Sequence, residues 1–265
     1  VQIRGYKVRL PLDVMLVASA NPEDYTNRGR IITPLKDRFG SQIRTHYPLD
    51  VETEMVIAAQ EAAPLQAEGI HAQMPSYMSQ IVATLSHLAR QSPHVNQRSG
   101  VSVRLTVSNH EVLIANAARR ALRHGEDIVV PRVSDLDALA ASTMGKIEIE
   151  SLDDGRDEVI AEHLVKAAVL TVFRERTDPA MLRDVIDAFE EGRIVEAGDD
   201  ISSADLAALA EEMPGLKAQV VGLTDGDESA AAMAAAVEFL LEGLHLGKRL
   251  NKEHVGSRSS YRARS

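Results

Sequence analysis

The chain has 265 residues, 45% of them hydrophobic and 26% charged, so it is long enough to bury the cores of two compact units. Its formal net charge of -10 disfavours a polyanionic partner, and we therefore expect it not to bind nucleic acid. The absence of cysteine excludes disulfides and thiolate metal sites and suits a reducing cytoplasm, and no apolar run reaches the roughly 18 residues of a membrane helix.

The first segment predicts a buried strand followed by a short helix. The chain begins at Val1 without a charged-then-apolar leader, so its start resembles an internal cut, and we expect it to be the C-terminal portion of a longer protein. Residues 13–20 are almost continuously apolar and stop at Asn21-Pro22, which is typical of a strand buried on both faces in a parallel sheet. Thr33-Pro34 then predicts a helix over 35–39 that carries Arg38.

The next hundred residues predict a helical domain. Asp50 can cap a helix that runs to about residue 62, with acidic residues in its first turn. Apolar residues at helical spacing predict further helices near 76–91 and over 106–124. Ser134 is the expected cap of a fourth helix over 135–144.

Beyond Gly145 the pattern remains helical. After a polar loop at 151–155, periodic segments predict helices over 157–176, 179–190, 204–212 and 227–246. Residues 248–265 are basic, rich in serine and without an apolar pattern, so we expect a disordered tail.

Two polar side chains near the first predicted strand suit phosphoryl transfer. Asn21 follows the carboxyl end of that strand, where open α/β sheets present ligand groups, and its amide could orient an attacking water. Arg38 offers fixed, permanently charged donors to phosphate oxygens. Taken singly, an Asn-Pro pair also initiates turns, and an Asp-Arg pair also forms surface ion pairs.

These residues stand in Ser-Ala-Asn-Pro-Glu-Asp at 19–24 and Pro-Leu-Lys-Asp-Arg-Phe-Gly at 34–40. The chain resembles AAA+ ATPases of the magnesium-chelatase ATPase-subunit and MoxR type, over about its first 145 residues. The resemblance implies an α/β fold followed by an all-α part: the end of a P-loop NTPase core with a parallel sheet over 1–50, a helical lid over 51–145, and a helical extension over 146–247. It also implies that Asn21 is sensor 1 and that Arg38 is an arginine finger acting on a neighbouring subunit's nucleotide.

The same families carry a second arginine, sensor 2, at the start of a lid helix, where it reaches the phosphates of its own subunit. Arg104 fits that position best, and a helix N-terminus adds oriented amides to its charge. The residues around Arg104 differ from the Pro-Arg or Leu-Arg-Gly motif of relatives, so Arg98 remains an alternative candidate for sensor 2. Either arginine could also be a solvated residue at a helix start.

Two motifs of an ATP-hydrolysing site are missing from these 265 residues. No Gly-x-x-x-x-Gly-Lys-Ser/Thr loop occurs, and no predicted strand ends in the Asp-Glu pair that would hold magnesium. We therefore expect ATP and Mg²⁺ to be bound mainly by sequence upstream of Val1, and this chain alone to be inactive. The nine histidines show no metal-ligand spacing, and His46, His71 and His94 read as ordinary polar residues.

The resemblance implies an ATP-driven remodelling protein that forms a homo-oligomeric ring, a hexamer, in the cytoplasm. The MoxR type implies a partner protein with a von Willebrand-type domain, and no membrane partner. One alternative is the ATPase subunit of a true magnesium chelatase, which serves the insertion of magnesium into a porphyrin. Another is a non-hydrolysing scaffold that keeps only the AAA+ shape.

Overall fold

A computed structural model describes residues 2–3, 6–7, 15–19, 37–97, 99–149, 156–213, 215–256 and 258–264. The chain divides into two compact units, Val1–Thr45 and His46–Ser265.

The first unit contains a short antiparallel pair, β1 (Gln2–Ile3) and β2 (Tyr6–Lys7). The buried strand predicted over 13–20 is wrong for its described part, because residues 15–19 have no regular secondary structure and Met15, Leu16 and Val17 are at least 80% exposed. A strand of this composition is stable only between neighbouring strands and covering helices, and the described residues of this unit supply neither.

The second unit opens with three helices and a small parallel pair. Its first elements, in chain order, are α1 (Val51–Glu61), β3 (His71–Ala72), α2 (Ser76–Gln91), α3 (Arg104–His124) and β4 (Ile128–Val129). β3 and β4 pair in parallel.

Shorter helices and a three-stranded sheet follow. The remaining elements are a 3-10 helix (Val133–Ala138), α4 (Leu139–Met144), α5 (Arg156–Arg176), a second 3-10 helix (Pro179–Leu182), α6 (Arg183–Glu190), β5 (Val195–Gly198), α7 (Ser203–Glu212), α8 (Leu216–Leu223), α9 (Ala230–Leu246), β6 (Leu250–Val255) and β7 (Arg258–Ala263). The sheet is antiparallel, in the order β5–β7–β6.

Local capping rules account for several helix ends. The Asp50 carboxylate accepts a 2.6 Å hydrogen bond from the Thr53 amide, which confirms the predicted start of α1. Gly125 ends α3 in the left-handed conformation, at φ 67°, and its amide donates to the last turn. The predicted Ser134 cap is wrong: Arg132 precedes a 3-10 helix, and its amide donates to the Asp135 carboxylate at 2.8 Å. Asp135 binds the backbone from within the first turn, so the serine hydroxyl is not needed there.

Helix α9 forms the centre of the second unit. It is buried on every side from Ala234 to Leu244, and it packs against α5 and α7. Its small side chains let the neighbouring helices approach closely. The same core cluster includes Leu85 of α2 and Leu113 of α3, so residues on both sides of Gly145 share one core. The lid and the extension expected from the sequence therefore belong to a single compact unit.

The C-terminal residues form a hairpin, which corrects the prediction of a disordered tail. β6 pairs with β7 from Leu250↔Ala263 to Val255↔Arg258, and β7 also pairs with β5. Leu250 and Tyr261 are each only 2% exposed and belong to the core. The Tyr261 hydroxyl and the Lys252 ammonium both donate to the Glu242 carboxylate of α9, at 2.7 and 2.8 Å. The sequence does not predict these two strands, because most of their residues are small or polar and only a few are apolar.

A buried charge network joins the end of α3 to the extension. Arg120 and Arg132 are both 1% exposed or less. Arg120 donates to Asp135 at 3.0 Å, and Arg132 donates to the Ile201 carbonyl at 2.8 Å and lies 3.8 Å from both Glu126 and Glu238.

Burial lowers the pKa of Arg132, and the charge of Glu238 acts in the opposite direction. Glu126 also accepts from the amide and the hydroxyl of Ser203, at 2.6 and 2.7 Å. The network therefore holds α7 against the C-terminal end of α3.

Candidate functional site

The structure describes two of the four residues that the sequence singled out. Asn21 and the rival Arg98 lie outside the described residues. Arg38 belongs to the first unit and Arg104 to the second.

Arg38 is exposed and lies in a turn over 37–38, followed by a bend at 39–40. The helix predicted over 35–39 is therefore wrong over its described part. Five residues offer too few backbone hydrogen bonds to hold a helix unless a face is packed, and residues 37–40 are all exposed. Among the described residues, the Arg38 side chain has no ion-pair or hydrogen-bond partner.

Arg104 is the first residue of α3, and its side chain is exposed. Its backbone amide donates to the Ser102 hydroxyl at 3.3 Å, and the Leu105 amide donates to the Ser102 carbonyl at 2.9 Å. The positive end of the helix dipole and the guanidinium charge thus face solvent together. Within the described ranges, the guanidinium itself binds no carboxylate.

A buried carboxylate fixes the helix turn that carries Arg104. Glu54 of α1 is fully buried, and Arg90 of α2 binds both of its oxygens, at 2.6 and 2.7 Å. The Thr106 hydroxyl, in the first turn of α3, also donates to Glu54. A charged pair with several hydrogen bonds is tightly positioned when it is buried. Glu54 therefore ties the start of α3 to both preceding helices.

Further contacts complete this support. Arg90 Nε donates to the Val101 carbonyl at 3.0 Å, three residues before Arg104, and the Ser86 and Thr106 hydroxyls lie 2.7 Å apart. The Arg90 guanidinium also lies 4.7 Å from the ring centroid of Tyr47, a cation–π contact with the segment that leads into α1. His87 Nε2 lies 2.9 Å from Glu54, but it is not oriented for a hydrogen bond.

The loop before α3 is held by side chains rather than by regular structure. The Gln97 amide group donates to the carbonyls of Ala89, Ser92 and Val95, at 3.4, 3.0 and 3.0 Å. The Ser99 hydroxyl donates to the Glu148 carboxylate. These contacts tie the loop between α2 and Arg104 to the end of α2 and to Glu148.

This arrangement suits recognition of an anion by Arg104. An exposed guanidinium on an immobilised helix start matches phosphate oxygens in charge and in donor geometry. The described residues contain no group of three or more His, Asp or Glu that could hold a metal ion, so they do not provide a complete Mg²⁺ site.

Sequence reasoning missed Glu54 and Arg90. In the sequence, Glu54 is one of the acidic residues that complement the start of α1. Glu54 lies four positions before Ala58, the other buried residue of α1, and positions four apart share a helix face. This spacing is the only sequence pattern that indicates that Glu54 is buried. Arg90 lies near the end of α2, and the sequence does not indicate that it reaches Glu54, 36 positions earlier.

Comparison with protein-family models, with curated proteins and with solved structures finds no match to this chain. None of the helices in the described ranges combines the length and the apolar character that a bilayer crossing requires.

Proposed function

We propose that the chain is the sensor-and-finger portion of an AAA+ ATPase of the MoxR and magnesium-chelatase type, which remodels a partner protein as an oligomeric ring. The observation that carries the proposal is Arg104, exposed at the start of a helix that the buried Glu54 holds in place. A sensor of bound phosphate must be free at its tip and rigid at its base, and Arg104 meets both conditions.

In the proposed mechanism the two arginines act on different nucleotides. Arg104 binds the phosphates of its own subunit and reports their state to the helical unit. Arg38, free among the described residues, reaches the γ-phosphate held by the next subunit and stabilises charge in the transition state. Asn21 orients the attacking water. Other parts of the intact protein hold ATP and Mg²⁺ through the phosphate-binding loop and acidic strand that these 265 residues lack.

The test is ATP turnover by the intact protein that contains this chain. Arg38→Ala is expected to lower turnover about a thousandfold while nucleotide still binds, because the finger acts in the transition state. Arg104→Ala is expected to weaken nucleotide binding or its coupling to turnover. Mixed rings of the two variants should recover part of the activity, since some interfaces then contain both arginines.

Matched controls are available in each unit. Arg44 is exposed in the first unit, and Arg123 is half-exposed at the other end of α3. Arg44→Ala and Arg123→Ala should leave turnover within about twofold, since neither is placed at a phosphate. Turnover that is unchanged in Arg38→Ala would remove the finger assignment, and absence of recovery in mixed rings would contradict the shared interface.

The alternative to this motor is a non-hydrolysing scaffold that keeps only the AAA+ shape. An intact protein that neither binds ATP nor changes its assembly state with nucleotide would support the scaffold and exclude the motor.

A further inference from the structure

Three cations lie at the open end of the C-terminal hairpin. Lys248 and Arg249 stand between α9 and β6, and Arg264 follows the last residue of β7. All three residues are exposed, and the Arg264 guanidinium donates to the Lys248 carbonyl at 2.8 Å. These three residues, which we call the hairpin-end patch, therefore lie next to one another on the surface.

The other two arginines of the hairpin are neutralised by carboxylates. Arg258 lies 3.2 Å from Glu196, and Arg262 pairs with Glu253. In the part of the chain that the structure describes, no carboxylate pairs with a cation of the hairpin-end patch. The patch is therefore locally positive on a chain whose net charge is -10.

The strand register brings two of these charges together. Leu250 and Ala263 form the end pair of β6 and β7, so Arg249 and Arg264 are the next residues beyond it on the two segments. Like charges opposite each other on neighbouring strands destabilise a hairpin. The chain therefore keeps these two cations together against their mutual repulsion.

The backbone of Lys248 is a second unfavourable feature at the same place. Lys248 has φ 61°, in the left-handed region that favours glycine, and it follows the C-cap residue Gly247 of α9. Lysine thus stands where glycine would be less strained. Residues held in such conformations occur preferentially at sites that bind ligands.

The backbone under the patch is well fixed. The Lys248 amide donates to the His245 carbonyl at 2.9 Å, and the Arg249 amide donates to the Leu244 carbonyl at 2.8 Å. The next residue, Leu250, is only 2% exposed and belongs to the core. Because this backbone is already ordered, a partner that binds the three cations loses little additional conformational entropy.

We propose that the hairpin-end patch binds a short acidic segment of a partner protein, whose carboxylates contact Lys248, Arg249 and Arg264. A guanidinium binds a carboxylate through two parallel hydrogen bonds, and the ammonium adds a third charge. The segment is short, because a long polyanion such as nucleic acid is repelled by the rest of an acidic surface. The inference does not depend on ATP hydrolysis or on Arg104.

The test titrates the 265-residue chain with triglutamate blocked at both ends and follows the backbone amide signals of 248–264 by NMR. We expect saturable binding with a Kd of about 1–10 mM at low ionic strength, since exposed ion pairs are individually weak. Binding should weaken severalfold at about 0.15 M salt, which screens exposed charges. Blocked triglutamine should not bind. If an oligonucleotide of equal charge bound more tightly than triglutamate, the acidic-peptide assignment would be wrong.

Variants of the patch locate the site. Arg264→Gln should weaken triglutamate binding about threefold, and Arg249→Gln/Arg264→Gln about tenfold, because each change removes a charge that has no carboxylate partner. Arg258→Gln is the matched control, since Arg258 is also exposed on the hairpin but is paired with Glu196. It should bind within about twofold of the parent chain. Equal weakening by Arg258→Gln, or absence of saturation in the parent chain, would overturn the proposal.

Thermal unfolding separates binding from a purely structural role. Lys248→Gly should raise the unfolding midpoint by about 2 °C, because glycine adopts the left-handed conformation without strain. The same variant should weaken triglutamate binding about threefold, because it removes one charge. A Lys248→Gly variant that bound the peptide like the parent would show that Lys248 only ends the helix, and the proposed patch would be wrong.

Discussion

Glu54 combines full burial with a charge, and its loss should be costly. In Glu54→Gln the side chain keeps its shape, but Arg90 loses its charged partner while remaining largely buried. Breaking a buried ion pair from one side costs about 3–5 kcal/mol, so we expect the free energy of unfolding to fall by about that amount. Urea denaturation of the two proteins measures it.

Glu52→Gln is the control for this substitution. Glu52 lies in the same first turn of α1 but is exposed, and its substitution should change stability by less than about 1 kcal/mol. If the two variants were equally stable, Glu54 could not be the anchor of the Arg104 turn.

His110 on α3 should make stability depend on pH. Burial lowers its pKa from the ordinary value of 6.5, with Glu111 acting in the opposite direction, and its Nδ1 is buried without a partner in the described structure. The folded state thus binds this proton less readily than the unfolded state. The contribution of His110 to the free energy of unfolding is therefore complete above pH 6.5, and it is lost as the pH falls through the folded-state pKa.

We therefore expect His110→Gln to reduce the loss of stability below pH 6.5, as measured by thermal unfolding across pH 5 to 7.5. His163, exposed on α5, provides the control, and His163→Gln should retain the slope of the parent chain. A slope unchanged by His110→Gln would show that another group titrates in this range.

At the level of elements, Gly243 sets how closely α9 approaches α5. A Cβ at this position would come within 3.0 Å of three atoms of the Phe173 ring, among them Cγ, which joins the ring to the rest of the side chain. Gly243→Ala should therefore destabilise the protein by about 1–3 kcal/mol through overpacking, despite the better helix propensity of alanine. Thermal denaturation of the purified variant measures the loss.

The matched change is Gly222→Ala in α8. Gly222 is helical too, but a Cβ there meets no atom within 4 Å. This variant should be as stable as the parent or gain up to about 1 kcal/mol. If both variants gained stability, α9 and α5 could move apart at little cost in free energy.

Local signals were sufficient to predict the long helices. The apolar spacing over 76–91 gave the observed bounds of α2, and the helix expected over 106–124 begins only two residues earlier, at Arg104. These helices have continuous amphipathic patterns, so the residues that decide them are close in sequence. For the same reason, the helical pattern alone predicts that Arg104 lies near the start of α3.

Contacts between distant segments were not predictable. The pairing of β7 with β5 joins residues at least 60 positions apart, and the bonds from Arg90 and Thr106 to Glu54 depend on how three helices pack. Neither contact leaves a periodic signal. The anchoring of the Arg104 turn therefore emerged only from the structure.

At the scale of the molecule, one core should give one unfolding transition for the second unit. Leu85 precedes Gly145 and Leu240 follows it, yet both are fully buried in the same cluster. We expect their amides to exchange with the same free energy, within the usual range of about 5–15 kcal/mol, in native-state hydrogen exchange. Exchange of Leu240 at a value lower by more than about 2 kcal/mol would indicate a separately unfolding extension.

The buried arginines constrain how this protein can change over generations. Arg120 pairs with Asp135 and Glu126, and Arg132 pairs with Glu126 and with Glu238 of the distant helix α9, so losing one cation leaves two carboxylates with less compensation. A neutral replacement at one position is tolerable only when its partners are replaced as well. Descendants of this fold should therefore exchange these five residues together or keep all of them, and a library randomised at the five sites would recover functional variants in correlated sets.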